Sequence, residues 1–244
     1  MDNAGFTPAS NRAPMHLPSR RELHREARRR ASSPWEWFKE IALVVLLALL
    51  VSTLLRLFIV QVFYIPSPSM NPTLVENDRI AVSRIHSWTG NIKRGDVIVF
   101  DDVLGWLPPG EQPWWTKAGE FLGIIPADAG QNLVKRVIGV GGDRVQCPTM
   151  GGQLQVNGVS ITEPYVMGQA CTMVFDVTVP EGKLWVMGDN RANSADSRYH
   201  MSGDETPFIS TDAVVGKAVA IIWPIGNWGT LPGRDTFAAV PQVQ

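Results

Sequence analysis

The run IALVVLLALLVSTLLRLFIV, Ile41 to Val60, constrains this chain more than any other feature. Arg56 is its only charge, and as an α-helix the run spans about 30 Å, the thickness of a bilayer's hydrocarbon core. Ahead of it stand Arg12, Arg20, Arg21, Arg25, Arg28, Arg29, Arg30 and Lys39, whereas residues 57–78 contain no Lys or Arg. Basic flanks stay on the cytoplasmic side, so the pattern predicts a single-pass helix with everything after Val60 exported. A buried core helix could be as apolar but would not need this asymmetry. A cleavable leader would be shorter and end in small residues, yet Phe63 and Tyr64 follow here.

The expected organisation has four parts. Residues 1–34, rich in Pro, Ser and Arg, read as a flexible basic cytoplasmic tail able to touch anionic headgroups. Residues 35–62 read as an uncleaved transmembrane anchor, with the aromatics of WEWF, 35–38, at the interface. Residues 63–230 change period: RIAVSRI, DVIVF, LVKRVIGV, QLQVNGVSI, FDVTV, LWVMG and GKAVAIIW are short β-branched runs between turn residues. Asn157–Gly158 inside one of them predicts a hairpin. The fold class expected is therefore mainly β, an antiparallel-sheet domain behind one N-terminal transmembrane helix. Residues 231–244 show no pattern and read as a loosely ordered tail.

Composition removes several functions. A net charge of -1, with no helix-turn-helix or zinc-finger spacing, offers nothing to nucleic acid. With only 4 His in the chain and none at ligand spacing from Cys147 or Cys171, no metal site is expected. The two cysteines lie in the exported part, where one pair can form a disulfide or remain two thiols; spacing leaves both open. The long Trp-rich connection 105–130, with Trp106, Trp114 and Trp115, either dips into the membrane interface or folds back on the sheet.

Three segments carry chemistry. YIPSPSMNPTL, Tyr64 to Leu74, cannot continue the helix, because its prolines lack amides and force extended backbone and turns. It holds Ser67 and Ser69 in constrained geometry. In NLVKRVIGVGGDRV, strand alternation puts Lys135 on one face between Leu133 and Val137, with Val134, Arg136 and Ile138 on the other. Burial disfavours the charged form of a lysine, which is how a lysine becomes a base near neutral pH; the alternation equally fits a surface lysine whose stem covers apolar area. In VMGDNRANSADSRYH, Asp189, Arg191, Asp196 and Arg198 read as struts of a self-satisfied loop. A Ser–His–Asp triad has no support: the exported histidines are His86 and His200, without partner motifs, and G-x-S-x-G is missing. If the chain is a serine hydrolase, the Ser–Lys variant fits better.

The ordered set PSPSMNPTL, KRGDVIVF, KRVIGVGGDRV and GDNRANSADSR, behind a transmembrane anchor, resembles the successive boxes of bacterial type I signal peptidases over roughly residues 36–225. The resemblance implies a membrane-bound serine endopeptidase that needs no cofactor and removes signal peptides from secreted preproteins after Ala-X-Ala. It implies Ser69 as nucleophile, Lys135 as general base, Ser67 at the oxyanion hole, Ser194 orienting the lysine, and Asp189, Asp196 and Arg198 bracing the site. Phe63, Ile65, Pro66, Met70, Leu74, Leu133 and Val134 match positions lining the substrate pockets. It also implies a smaller insert near 143–177 holding both cysteines. The lipid bilayer and the Sec translocon are the further partners implied, and the cytoplasmic membrane the location. Pro68 stands where Gly or an acidic residue is commoner, and Ala192 where Asp is frequent. Two rival readings are a repressor-type Ser–Lys autoprotease, which would need a DNA-binding module, and a membrane-anchored scaffold without catalysis.

Overall fold

The computed structural model describes residues 34–58, 60–85, 90–107, 132–202 and 206–241, with side chains in the first helix described for residues 35–53. The tail assigned to 1–34 lies outside the described residues but for Pro34, as do Trp114 and Trp115. The chain divides into one unit ending at Ser52 and a second from Thr53 onward.

Helix α1, Pro34–Phe58, takes up most of the apolar run. Residues 35–53 are all exposed, and from Ile41 to Val51 all of them are apolar. A helix apolar all round has no face that prefers water. Among the described residues no helix is long and apolar enough to cross a membrane. The apolar run of α1 continues through 54–58, whose side chains lie outside the described set. The helix stops short of the expected end at 62: strand β1, Val60–Tyr64, begins two residues after Phe58. The strand wins there because residues 60–64 pair antiparallel with residues 79–83, which also buries Phe63 in the sheet's core.

Eight strands form the larger sheet. After β1 come β2 (Arg79–Ser83), β3 (Val97–Asp101) and β4 (Asn132–Val140). Four short strands follow, β5 (Arg144–Cys147), β6 (Leu154–Val156), β7 (Val159–Ile161) and β8 (Phe175–Thr178), and make a second sheet in the order β7-β6-β5-β8. The chain then returns as β9 (Lys183–Met187), β10 (Ile209–Ser210), β11 (Val214–Trp223) and β12 (Gly229–Thr230). The larger sheet runs β1-β2-β11-β3-β4-β9-β10, with β12 on β11, and the paired strands in both sheets are antiparallel. Asn157 and Gly158 turn β6 into β7 with φ of 52° and 79°, the double left-handed conformation of a two-residue hairpin.

Three apolar clusters hold the strands. Phe63, Ile65, Met70, Leu74 and Ile80 pack beneath the serine segment. Ile98, Phe100, Leu133, Val137 and Val186 fill a second cluster at β3, β4 and β9. The third joins the small sheet to the large one, with Trp185 and Ile138 against Val145, Leu154 and Phe175. The terminal segment is not loose as its sequence suggested. Phe237 and Val240 are buried in that third cluster, and Arg94 donates to the Val240 and Pro241 carbonyls. Its anchors come from residues far away in the chain, which no local pattern reveals.

Cys147 and Cys171 are bonded and buried, closing a 24-residue separation around the small sheet. Closing a loop of that size removes about 3 kcal/mol of chain entropy from the unfolded state. Replacing both cysteines by Ala is therefore expected to lower the unfolding free energy by at least that amount, read as a lower urea midpoint in detergent.

Candidate active site

The serine segment leaves β1 at Ile65, whose amide donates to the Asp78 carbonyl at 2.9 Å while its own carbonyl accepts from the Asn77 amide. Pro68–Met70 closes one 3-10 turn. Ile65 ahead of the turn, Met70 at its end and Leu74 beyond it are all buried in the core, so burial on both sides sets where Ser69 stands. Asn190 clamps the same turn from across the molecule. Its amide donates to the Ser69 carbonyl and its Nδ2 to the Pro68 carbonyl, each at 3.1 Å. Gly188 makes this approach possible, because a Cβ there would overlap the Ser69 carbonyl oxygen and the Ser194 side chain.

Lys135 comes from the middle of β4, opposite Ile98 of β3. Its Nζ lies 2.9 Å from Ser69 Oγ and 3.1 Å from the Val134 carbonyl oxygen, and the residue is only 2% exposed. Burial pushes its pKa from the ordinary 10.5 down to about 8, while the negative charges of Asp196 and Asp189 hold it up in part. A sizeable neutral fraction near physiological pH is what a lysine general base requires. Ser67 Oγ lies 3.3 Å from Ser69 Oγ, on the same mouth of the site.

Four buried guanidinium–carboxylate pairs brace the surroundings. Asp189 takes Arg136 Nε at 2.8 Å and Nη2 at 2.6 Å, and also accepts from the Thr73 hydroxyl. Asp196 takes Arg198 through Nε and Nη2 at 2.8 and 2.7 Å and accepts from the Gly188 amide at 2.9 Å. Arg191 reaches Glu163 at 2.6 Å and the Ala170 carbonyl at 2.9 Å. Arg94 pairs with Asp143. Separating a buried bidentate pair would leave a charge unpaired in the interior, so such pairs hold a loop in one arrangement.

The structure thus brings Ser69, Lys135, Ser67 and the struts Asp189, Asp196 and Arg198 to one place. Ser194 is beside them, but its buried Oγ has no hydrogen-bond partner among the described residues, and the expected contact with the lysine is not made. The side chain sits instead over Gly188, where the missing Cβ leaves room. A cavity of ≈ 100 Å³ holds Ser67, Ser69 and Lys135 together with Ile65, Pro66, Met70, Leu133 and Val134. Phe63 and Leu74 belong to the core cluster beneath the serine segment. A larger cavity of ≈ 520 Å³, lined by Arg84, Asp101 and Asp212 among others, contains no such nucleophile–base pair. Among the described residues no group of three His, Cys, Asp or Glu side chains could hold a metal ion.

Several working residues escape sequence reasoning. Arg136 alternates with Val134 and Ile138, a hint that it is buried, but its partner Asp189 lies 53 positions away. Glu163 has no local signal at all. Asn190 reads as an ordinary loop residue until its two bonds to the serine turn are seen.

The same constellation sits within a wider likeness. The sequence profile of the family described as signal peptidase, peptidase S26, matches residues 35–223. Signal peptidase I of Mycobacterium tuberculosis is 36% identical over 79% of this chain and 75% of its own length. Probable signal peptidase I-1 of Synechocystis is 35% identical over 84% of this chain and 92% of its own, and signal peptidase I U of Bacillus subtilis 33% over 75% and 86%. On this likeness, carried along nearly the whole described length, the chain belongs to the signal peptidase family, peptidase S26, and is a serine peptidase of that family.

Proposed function

We propose that this enzyme removes N-terminal signal peptides from exported preproteins, cutting after Ala-X-Ala, with Ser69 as nucleophile and Lys135 as general base. The observation that carries the reading is a buried lysine nitrogen, depressed in pKa, within 2.9 Å of a serine hydroxyl in a small apolar cavity. Neutral Lys135 takes the hydroxyl proton as Ser69 Oγ attacks the peptide carbonyl. The proton passes to the leaving amine, and Lys135 then activates the water that hydrolyses the acyl-enzyme. In this reading Ser67, whose Oγ lies 3.3 Å from Ser69 Oγ, donates to the developing oxyanion. An extended substrate has a strand edge to join: β3 pairs with β4 from Asn132 onward, but β9 pairs with it only from Arg136. The edge of 133–135 facing away from β3 is therefore a place for β-augmentation.

Anchoring by α1 in the cytoplasmic membrane is part of the same proposal. It rests on the apolar run, the basic flank, and a helix whose apolar side chains face outward.

The test is cleavage of a preprotein carrying Ala-X-Ala by the full chain in detergent. Ser69→Ala is expected to lower kcat by ~10⁴-fold or more, the size seen when a hydrolase nucleophile is removed. Equal cleavage by both proteins would end the assignment.

A further inference from the structure

We propose that Leu107 sets the upper size limit on the substrate side chain seated beside Ser69 and Lys135; the inference rests on the peptidase reading above. Leu107 lies outside the serine, lysine and Gly-Asp-Asn-Arg segments, at the start of the Trp-rich connection after β3. It nonetheless lines the same ≈ 100 Å³ cavity as the dyad, together with Ile65, Leu133 and Val134.

Its place is built rather than incidental. Both carboxylate oxygens of Asp102 accept amides, from Trp106 at 2.8 Å and Leu107 at 2.7 Å. One short side chain thereby curls the backbone back toward the sheet directly after β3. Trp106 fixes the turn from its other side. Its ring meets Phe100 edge to face at 6.1 Å and stacks flat on His200 at 4.2 Å, with 4° between the planes. His200 closes the 3-10 turn Ser197–His200, whose N-cap is Asp196. Leu107 is thus held between β3 and the loop that braces the dyad, and it packs partly against the cluster containing Leu133.

A wall so placed cannot yield as a free loop would. The cavity is already small, so a branched substrate side chain there would have to displace Leu107 against Asp102 and Trp106. A methyl group needs no displacement. Leu107→Ala removes three carbon atoms from the wall, and Leu107→Val removes one with little effect on folding.

The experiment compares the full chain in detergent with Leu107→Ala and Leu107→Val. The substrates are preproteins with Ala, Val or Leu at the last or the third-last position before the cut. The readout is the ratio of kcat/KM for Leu or Val over Ala, which cancels any change in the amount of folded enzyme. Leu107→Ala is expected to raise that ratio by ~10-fold or more, the discrimination that one or two methylenes bring in an apolar pocket. Leu107→Val should move it the same way by less. Unchanged ratios at both positions in both variants, with cleavage still lost in Ser69→Ala, overturn the role of Leu107 alone. Cleavage that survives Ser69→Ala overturns the peptidase assignment, and this inference with it.

Discussion

Lys135→Met is expected to abolish cleavage and, at neutral pH, to make the folded enzyme more stable. The stabilising part follows from linkage. An ordinary lysine has a pKa of 10.5, and burial brings Lys135 to about 8. Between those values the unfolded chain binds a proton that the folded chain does not, so wild-type stability rises with pH from 8 to 10.5. Below 8 both states are protonated, and the folded state carries the whole penalty, about 3 kcal/mol for a shift of this size. Met keeps the length and the packing while removing the charge. The lost contacts to Ser69 Oγ and the Val134 carbonyl reduce the gain without cancelling it. Urea midpoints at pH 7 and pH 10 would show the Met variant ahead at pH 7 and the difference closing at pH 10. For wild type, kcat/KM should climb with pH through a midpoint near 8, as the neutral base is populated. A Met variant less stable than wild type at pH 7 would falsify the depressed pKa.

The second large effect is expected from Asp189→Ala, through destabilisation rather than chemistry. Arg136 is fully buried and spends its Nε and Nη2 on Asp189, while Nη1 is held by the Gly95 and Pro232 carbonyls. Its guanidinium also lies over the Tyr165 ring at 3.9 Å. These contacts do not neutralise it. Removing the carboxylate strands a charge in the interior, at a cost of about 3–5 kcal/mol. The Thr73 hydroxyl loses its acceptor at the same time, so the segment after Ser69 loosens. Arg136→Met together with Asp189→Leu should recover much of the stability, because no charge is left unpaired. A double-mutant cycle on denaturant midpoints reads the coupling directly. Additive losses would mean that the pair contributes nothing beyond its separate parts.

Much of the molecule was legible beforehand, and particular residues show why. Alternation along LVKRVIGV placed Lys135 between apolar neighbours, and β4 buries it. Asn157–Gly158 announced a two-residue hairpin, since few other pairs adopt left-handed backbone twice in succession. The prolines around Ser69 ruled out helix, and a 3-10 turn stands there. The misjudged places share one cause. Residues 60–62 look like the end of an apolar helix, yet pairing with Ser83, Val82 and Ala81 of β2 decides them. Residues 231–241 look patternless, yet Arg94 and Arg136 reach them from far upstream. Trp106 is not among them: its sequence leaves the membrane interface and the sheet equally open, and it lies on Phe100 and His200.

What the sequence by itself determined is whatever depends on near neighbours: the apolar run, the two-residue period of the strands and the turn chemistry, while Ser69 and Lys135 stood out only through the resemblance of four ordered segments to a known family. Only the tertiary structure decided that Ser69 and Lys135, 66 positions apart, come within 2.9 Å. It alone matched Arg136 with Asp189 and Arg191 with Glu163, joined Cys147 to Cys171, and brought Leu107 to the cavity wall. The reason is physical. Backbone preferences act over a few residues and leave a periodic trace, whereas the pairing of buried charges and the depression of a lysine pKa arise from burial by distant segments.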